Sequence, residues 1–125
     1  MRKVMMLVGL MSLMVVMFAP MAMAAEIQCT TVPCYGTPQK DTIFERVGDG
    51  LRDKIYGYER GDLIDASAYT DDLDVLYGNK GADLLNTDDG DANDTVFGGA
   101  GVDTCWVDSG DNAYGCEVLH VDQIF

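Results

Sequence analysis

The sequence predicts an all-β fold, a parallel β-solenoid of about four two-strand coils with disulfide-capped ends. Three observations predict it. A short unit bearing Gly and Asp recurs through the chain, its spacing alternates between two values, and the four cysteines lie only near the two ends of the repeat. A unit this short cannot bury its own apolar residue, so copies must stack.

Residues 1–24 read as a secretory signal peptide. Arg2 and Lys3 make a basic start, Val4 to Phe18 is apolar, and Ala22-Met23-Ala24 is a small-residue cleavage motif. The apolar run is shorter than the ~20 residues of a membrane span. Cys29 lacks the small-residue lipobox of a lipoprotein. The reading is therefore an exported, extracellular protein, with residues 25–40 as an N-terminal cap, 41–118 as the repeat and 119–125 as a tail.

The repeat is clearest in Gly78-Asn79-Lys80-Gly81-Ala82-Asp83-Leu84-Leu85 and Gly98-Gly99-Ala100-Gly101-Val102-Asp103-Thr104-Cys105. An Asp stands two residues before each inward-facing apolar residue: Asp41/Ile43, Asp53/Ile55, Asp62/Ile64, Asp74/Leu76, Asp83/Leu85, Asp94/Val96 and Asp103/Cys105. An eighth unit, Tyr114/Cys116, reads as having lost its Asp. The steps run 12, 9, 12, 9, 11, 9 and 11, so the period is a pair of units, 20 or 21 residues long. Each coil then has two short strands, whose side chains alternate in and out. One inner wall is Ile43, Ile64, Leu85 and Cys105; the other is Ile55, Leu76, Val96 and Cys116. Tyr56, Tyr77 and Phe97 follow the second wall at the same period and should stack outside it.

Past residue 24 the chain keeps 21 acidic and six basic residues, a formal charge of −15, and 17 of the acids are Asp against four Glu. Asp is favoured where a short carboxylate reaches back to its own turn. An acidic chain without a basic patch argues against nucleic acid and anionic membranes. Stacking sets the motif Asp residues in rows ~4.8 Å apart, where like charges repel without a counter-ion. The longer turns add acids: Gly48-Asp49, Gly90-Asp91 and Gly110-Asp111 read as equivalent points, with Tyr69-Thr70 interrupting them. Calcium, a hard cation taking six to eight oxygens, suits such rows. Zinc and copper do not, since His120 is the only His and the cysteines read as paired.

Four cysteines allow three pairings. Cys29 and Cys34 precede the first coil, while Cys105 and Cys116 lie in the last. Four coils span roughly 15 Å, against the ~7 Å that a disulfide bridges between Cα atoms. Cys29–Cys34 and Cys105–Cys116 are the expected pairs, closing the ends as a solenoid requires.

The repeats resemble the calcium-binding repeats of the haemolysin-type, or RTX, family. The likeness is strongest in Gly78 to Asn86 and Gly98 to Trp106. It is weaker in Gly57 to Asp65, where Arg60 replaces a glycine. The resemblance implies a parallel β-roll whose Gly-rich turns hold calcium between adjacent coils, through backbone carbonyls and the motif Asp. It implies metal-site roles for Gly78, Gly81, Gly98, Gly99 and Gly101. One ligand row would be Asp62, Asp83 and Asp103, opening with Asp41, and the other Asp53, Asp74 and Asp94. The second row sits in lengthened turns, where Asp49, Asp71, Asp72, Asp89 and Asp91 are further ligand candidates.

The function expected is a secreted, calcium-stabilised structural or surface-interaction module, not an enzyme. One alternative is a solenoid binding carbohydrate or a cell surface, with calcium structural. Thr42, Thr87, Thr95 and Thr104 form no regular ladder of the kind an ice-binding face needs. The other alternative is a hydrolase using a carboxylate pair. The acids follow the repeat, and no Ser/His or Cys/His set accompanies them.

Overall fold

The computed structural model describes residues 24–47, 51–70 and 72–123. Residues 1–23 of the expected leader, Asp49, Asp71 and the terminal Ile124-Phe125 lie outside them. Among the described residues there are eleven strands and no helix. They alternate between two parallel sheets. The first holds β1 (Glu26–Gln28), β3 (Thr42–Phe44), β5 (Leu63–Asp65), β7 (Leu84–Asn86), β9 (Thr104–Asp108) and β11 (Val118–Asp122), in that order. The second holds β2 (Cys34–Tyr35), β4 (Lys54–Tyr58), β6 (Val75–Lys80), β8 (Thr95–Ala100) and β10 (Asn112–Tyr114). A chain that returns to the same sheet once per coil makes only parallel neighbours. The result is a β-solenoid.

The registers follow the repeat. Ile43 pairs with Ile64, Ile64 with Leu85, and Leu85 with Cys105; on the other wall Ile55 pairs with Leu76 and Leu76 with Val96. All seven are fully buried. Burying each Leu or Ile is worth about 1.5–3 kcal/mol. The core is thin all the same: among the described residues, eleven buried apolar residues stand beside ten buried carboxylates.

The last coil departs from the expected one. Ala113, not Cys116, occupies the second wall in register with Val96, and Tyr114 falls in register with Phe97. The acid two residues before Ala113 is Asp111, so the eighth unit keeps its Asp. Leu119, in register with Cys105, follows Glu117 by two and makes a ninth unit. This coil is short, 17 residues from Asp94 to Asp111 and 14 from Asp103 to Glu117, which breaks the 20–21 period. Gly110-Asp111 is therefore not equivalent to Gly90-Asp91: Gly110 lies against Ala92. The cap and tail segments also join the sheets, since Ile27 pairs with Ile43, Cys34 with Ile55, and β11 with β9.

Disulfides join Cys29 to Cys34 and Cys105 to Cys116, with Cα atoms 5.6 and 5.9 Å apart. The second ties the inner wall of β9 to the turn after β10. Outside the second sheet the aromatic rings stack in one file. Their centroids are 5.4 Å apart from Tyr35 to Tyr56, 4.6 Å from Tyr56 to Tyr77, 5.0 Å from Tyr77 to Phe97 and 5.2 Å from Phe97 to Tyr114. Trp106 and His120 stack on the other sheet at 4.1 Å.

Candidate metal centre

Each motif Asp lies at the end of a turn, just before its strand, and after the first coil its carboxylate is held by the preceding coil. In the short turns the Asp41 N–H donates to Asp62 Oδ1, that of Asp62 to Asp83 Oδ1, and that of Asp83 to Asp103 Oδ1, all at 2.8 Å. Asp103 N–H donates to Glu117 Oε2 at 2.8 Å, so Glu117 ends the row. In the long turns the series runs from Asp53 N–H to Asp74 Oδ1, Asp74 N–H to Asp94 Oδ1 and Asp94 N–H to Asp111 Oδ1, at 2.6, 2.7 and 3.0 Å.

One oxygen of each interior carboxylate is thereby used. The other, Oδ2 of Asp62, Asp83, Asp103, Asp74 and Asp94, is buried and accepts no hydrogen bond. A buried carboxylate oxygen without a donor is costly, and here the cost recurs in every interior coil. Two members differ. Asp41 accepts from Thr37 and Ala25, and Asp53 accepts from Arg46 N–H and Nε, each at 2.6 Å. The chain itself satisfies the carboxylates that open the two rows.

The glycines account for where the short-turn oxygens go. The first glycine of each turn, Gly57, Gly78 or Gly98, lies against Oδ2 of its own motif Asp, and a Cβ there would collide with that oxygen. Gly78 therefore gives Asp83 its place beneath the turn. Further along, Gly81, Gly99 and Gly101 have φ of +136°, +103° and +134°. Arg60, in the position of Gly81, takes φ of +70°, so the degenerate copy keeps the left-handed turn with a side chain that disfavours it.

In the long turns the acids converge. Carboxylate oxygens of Glu45, Asp72 and Asp74 lie within 4.8 Å of one another, as do those of Asp72, Asp89 and Asp94. Asp91 stands beside them: its Oδ2 accepts from Asp72 N–H, and its N–H donates to Asp89 Oδ1. A cleft lined by Asp72, Leu73, Asp91, Ala92 and Asn93 opens there.

Burial, then neighbouring carboxylates, raise these groups above the ordinary Asp and Glu range: Asp74 and Asp94 to about 8, Asp62, Asp89 and Glu45 to about 7, and Asp83 to about 6. The fold without an ion holds these carboxylates against both desolvation and mutual repulsion.

The family model of the RTX calcium-binding nonapeptide repeat matches residues 56–92 and 88–113, in four copies. Residues 56–113 are RTX repeats. RTX repeats bind calcium. No curated protein and no solved structure matches the chain significantly.

The RTX rows fit that ion. The donor set is oxygen throughout, the cysteines are all in disulfides, and each interior Asp keeps one buried oxygen that no protein donor reaches. Oxygen ligands around a hard divalent cation are the chemistry of calcium. Bound calcium would supply positive charge where the rows concentrate negative charge.

The periodic reading missed Glu117 and Glu45, and it placed Asp111 beside Asp91 rather than as the Asp of the eighth unit. For Glu117 and Asp111 the signal was the acid two residues before an apolar one, obscured by the short last coil. For Glu45 it was strand alternation: two residues after Ile43, it faces inward, aligned through the ladder with Ala66, Thr87 and Val107.

Proposed function

We propose that the protein is an exported calcium-binding module whose fold calcium completes, and which acts by structure or surface contact rather than by catalysis. The observation that carries this is the set of buried Oδ2 atoms without donors in a chain of RTX calcium-binding repeats. Asp62, Asp83 and Asp103 are the ligands of the short turns, with Asp74 and Asp94 in the long ones. The basic-then-apolar start with its Ala22-Met23-Ala24 site supports export, as do the two disulfides.

A ligand that binds only the folded chain stabilises it by mass action. At ~1 mM calcium and a dissociation constant of ~0.1 mM, each site adds about 1.4 kcal/mol. Several sites decide the state of a marginal domain. Metal analysis together with circular dichroism, with and without chelator, tests the reading. The expected result is several calcium ions per chain and loss of β-structure on chelation. Identical spectra and melting temperatures in both conditions would overturn it.

A further inference from the structure

The two acid triads in the long turns differ in kind from the motif rows. The rows repeat one Asp per turn, whereas the triads draw Glu45 from a buried position just past the end of β3 and Asp89 from a turn. Glu45 is buried. Its Oε1 accepts from Ala68 N–H, and neighbouring Arg46 donates its Nε–H to Asp53. Asp74 and Asp94, one in each triad, are fully buried and each keep an Oδ2 that accepts no hydrogen bond. Asp89 does too. Asp72 belongs to both triads.

We propose that the long turns hold two adjacent calcium sites built from side-chain carboxylates: Glu45, Asp72 and Asp74 around one ion, and Asp72, Asp89 and Asp94 around the next. The proposal rests on the calcium reading above and assigns Glu45, Asp72 and Asp89, none of which occupies the Asp position of a nonapeptide. Five carboxylates carry a formal charge of −5, and two divalent ions leave only −1. Every donor is an oxygen, and calcium tolerates the irregular geometry that lengthened turns impose, where magnesium demands a near-regular octahedron. The cleft beside Asp72 and Asp91 gives an ion a way in.

The test is calcium counting and calorimetry on the full protein, for wild type, Glu45→Gln, Asp89→Asn and the short-turn variant Asp83→Asn. Glu45→Gln keeps an acceptor for Ala68 and removes the charge. It should lose one calcium per chain, or show one class of site weakened at least tenfold. Its chelated form should melt higher than chelated wild type, because a repelling charge is gone, while its gain on adding calcium shrinks. A merely structural Glu45 would lower both. Asp89→Asn, in a half-buried turn, should weaken the neighbouring site, and it decides the matter if Glu45→Gln does not fold. Wild-type count and affinity in both variants would overturn the proposal even where Asp83→Asn loses an ion, which leaves the calcium reading standing. A wild-type protein that binds no calcium would overturn both.

Discussion

A single motif carboxylate divides its labour. Asp83 gives Oδ1 to the coil before it and keeps Oδ2 under Gly78. Asn in its place keeps the first role and lacks the charge for the second. Asp83→Asn should therefore reduce calcium affinity and lower the calcium-loaded melting temperature. Asp122→Asn, which removes the same charge from an exposed position in β11, should be nearly silent. Equal calorimetric behaviour of the two would show that the acids act only as diffuse charge. Gly78→Ala puts a methyl group where Asp83 Oδ2 lies and 2.6 Å from the Gly98 carbonyl oxygen. Backbone cannot yield there as a flexible side chain can. A loss of about 2–3 kcal/mol is expected, read by denaturant unfolding in calcium, together with weaker calcium binding.

At the scale of the strand, the ring file ties the coils from outside. Tyr77 has a neighbour on each face, whereas among the described residues Tyr114 ends the file beside Phe97. Stacked pairs are worth about 0.5–1.5 kcal/mol each beyond their buried area. Tyr77→Ala should thus cost clearly more than Tyr114→Ala in denaturant unfolding, and Tyr77→Phe should cost little. The walls, the file and the disulfide pairs were legible because each follows from a fixed period or from the length of the stack. Where the period changed, legibility stopped. Ala113 and Leu119 carry the same acid-x-apolar signature as Ile64 or Leu85, but the coil that holds them is shorter, and counting by twenty lands on Cys116. The short-turn rows were readable from Asp and Gly alone. In the long turns Asp72, Asp74, Asp89, Asp91 and Asp94 could be named as candidates, but neither Glu45 nor the grouping could be read, because the acids there come together across turns of unequal length and only the paired backbone decides which of them meet.

For the whole molecule, protons and calcium contend for the same oxygens. The raised carboxylates bind protons more tightly in the folded chain than in the unfolded one, whose Asp and Glu titrate near ~4. Their contribution to the calcium-free fold is fully present below that value and is lost as pH rises through about 6 to 8. The chelated protein should accordingly melt at a higher temperature at pH 5.5 than at pH 8. With calcium saturating, the slope should reverse, because acidification displaces the ion. Melting curves across this range, with and without chelator, check both signs. Parallel slopes would mean that the carboxylates do not exchange one cation for the other.

The hydrogen bonds that join the rows all point one way, from an N–H to the carboxylate of the coil that follows. The stack is therefore directional, like a column of cups each resting in the next, and its two ends are not interchangeable. Cut after Asp103, it presents a bare amide that water can serve. Cut before Asp62, it presents a carboxylate stripped of the donor that oriented it. Shortening from the two ends by equal lengths should then leave two different objects, one with a vacant donor at its lip and the other with a loosened negative charge.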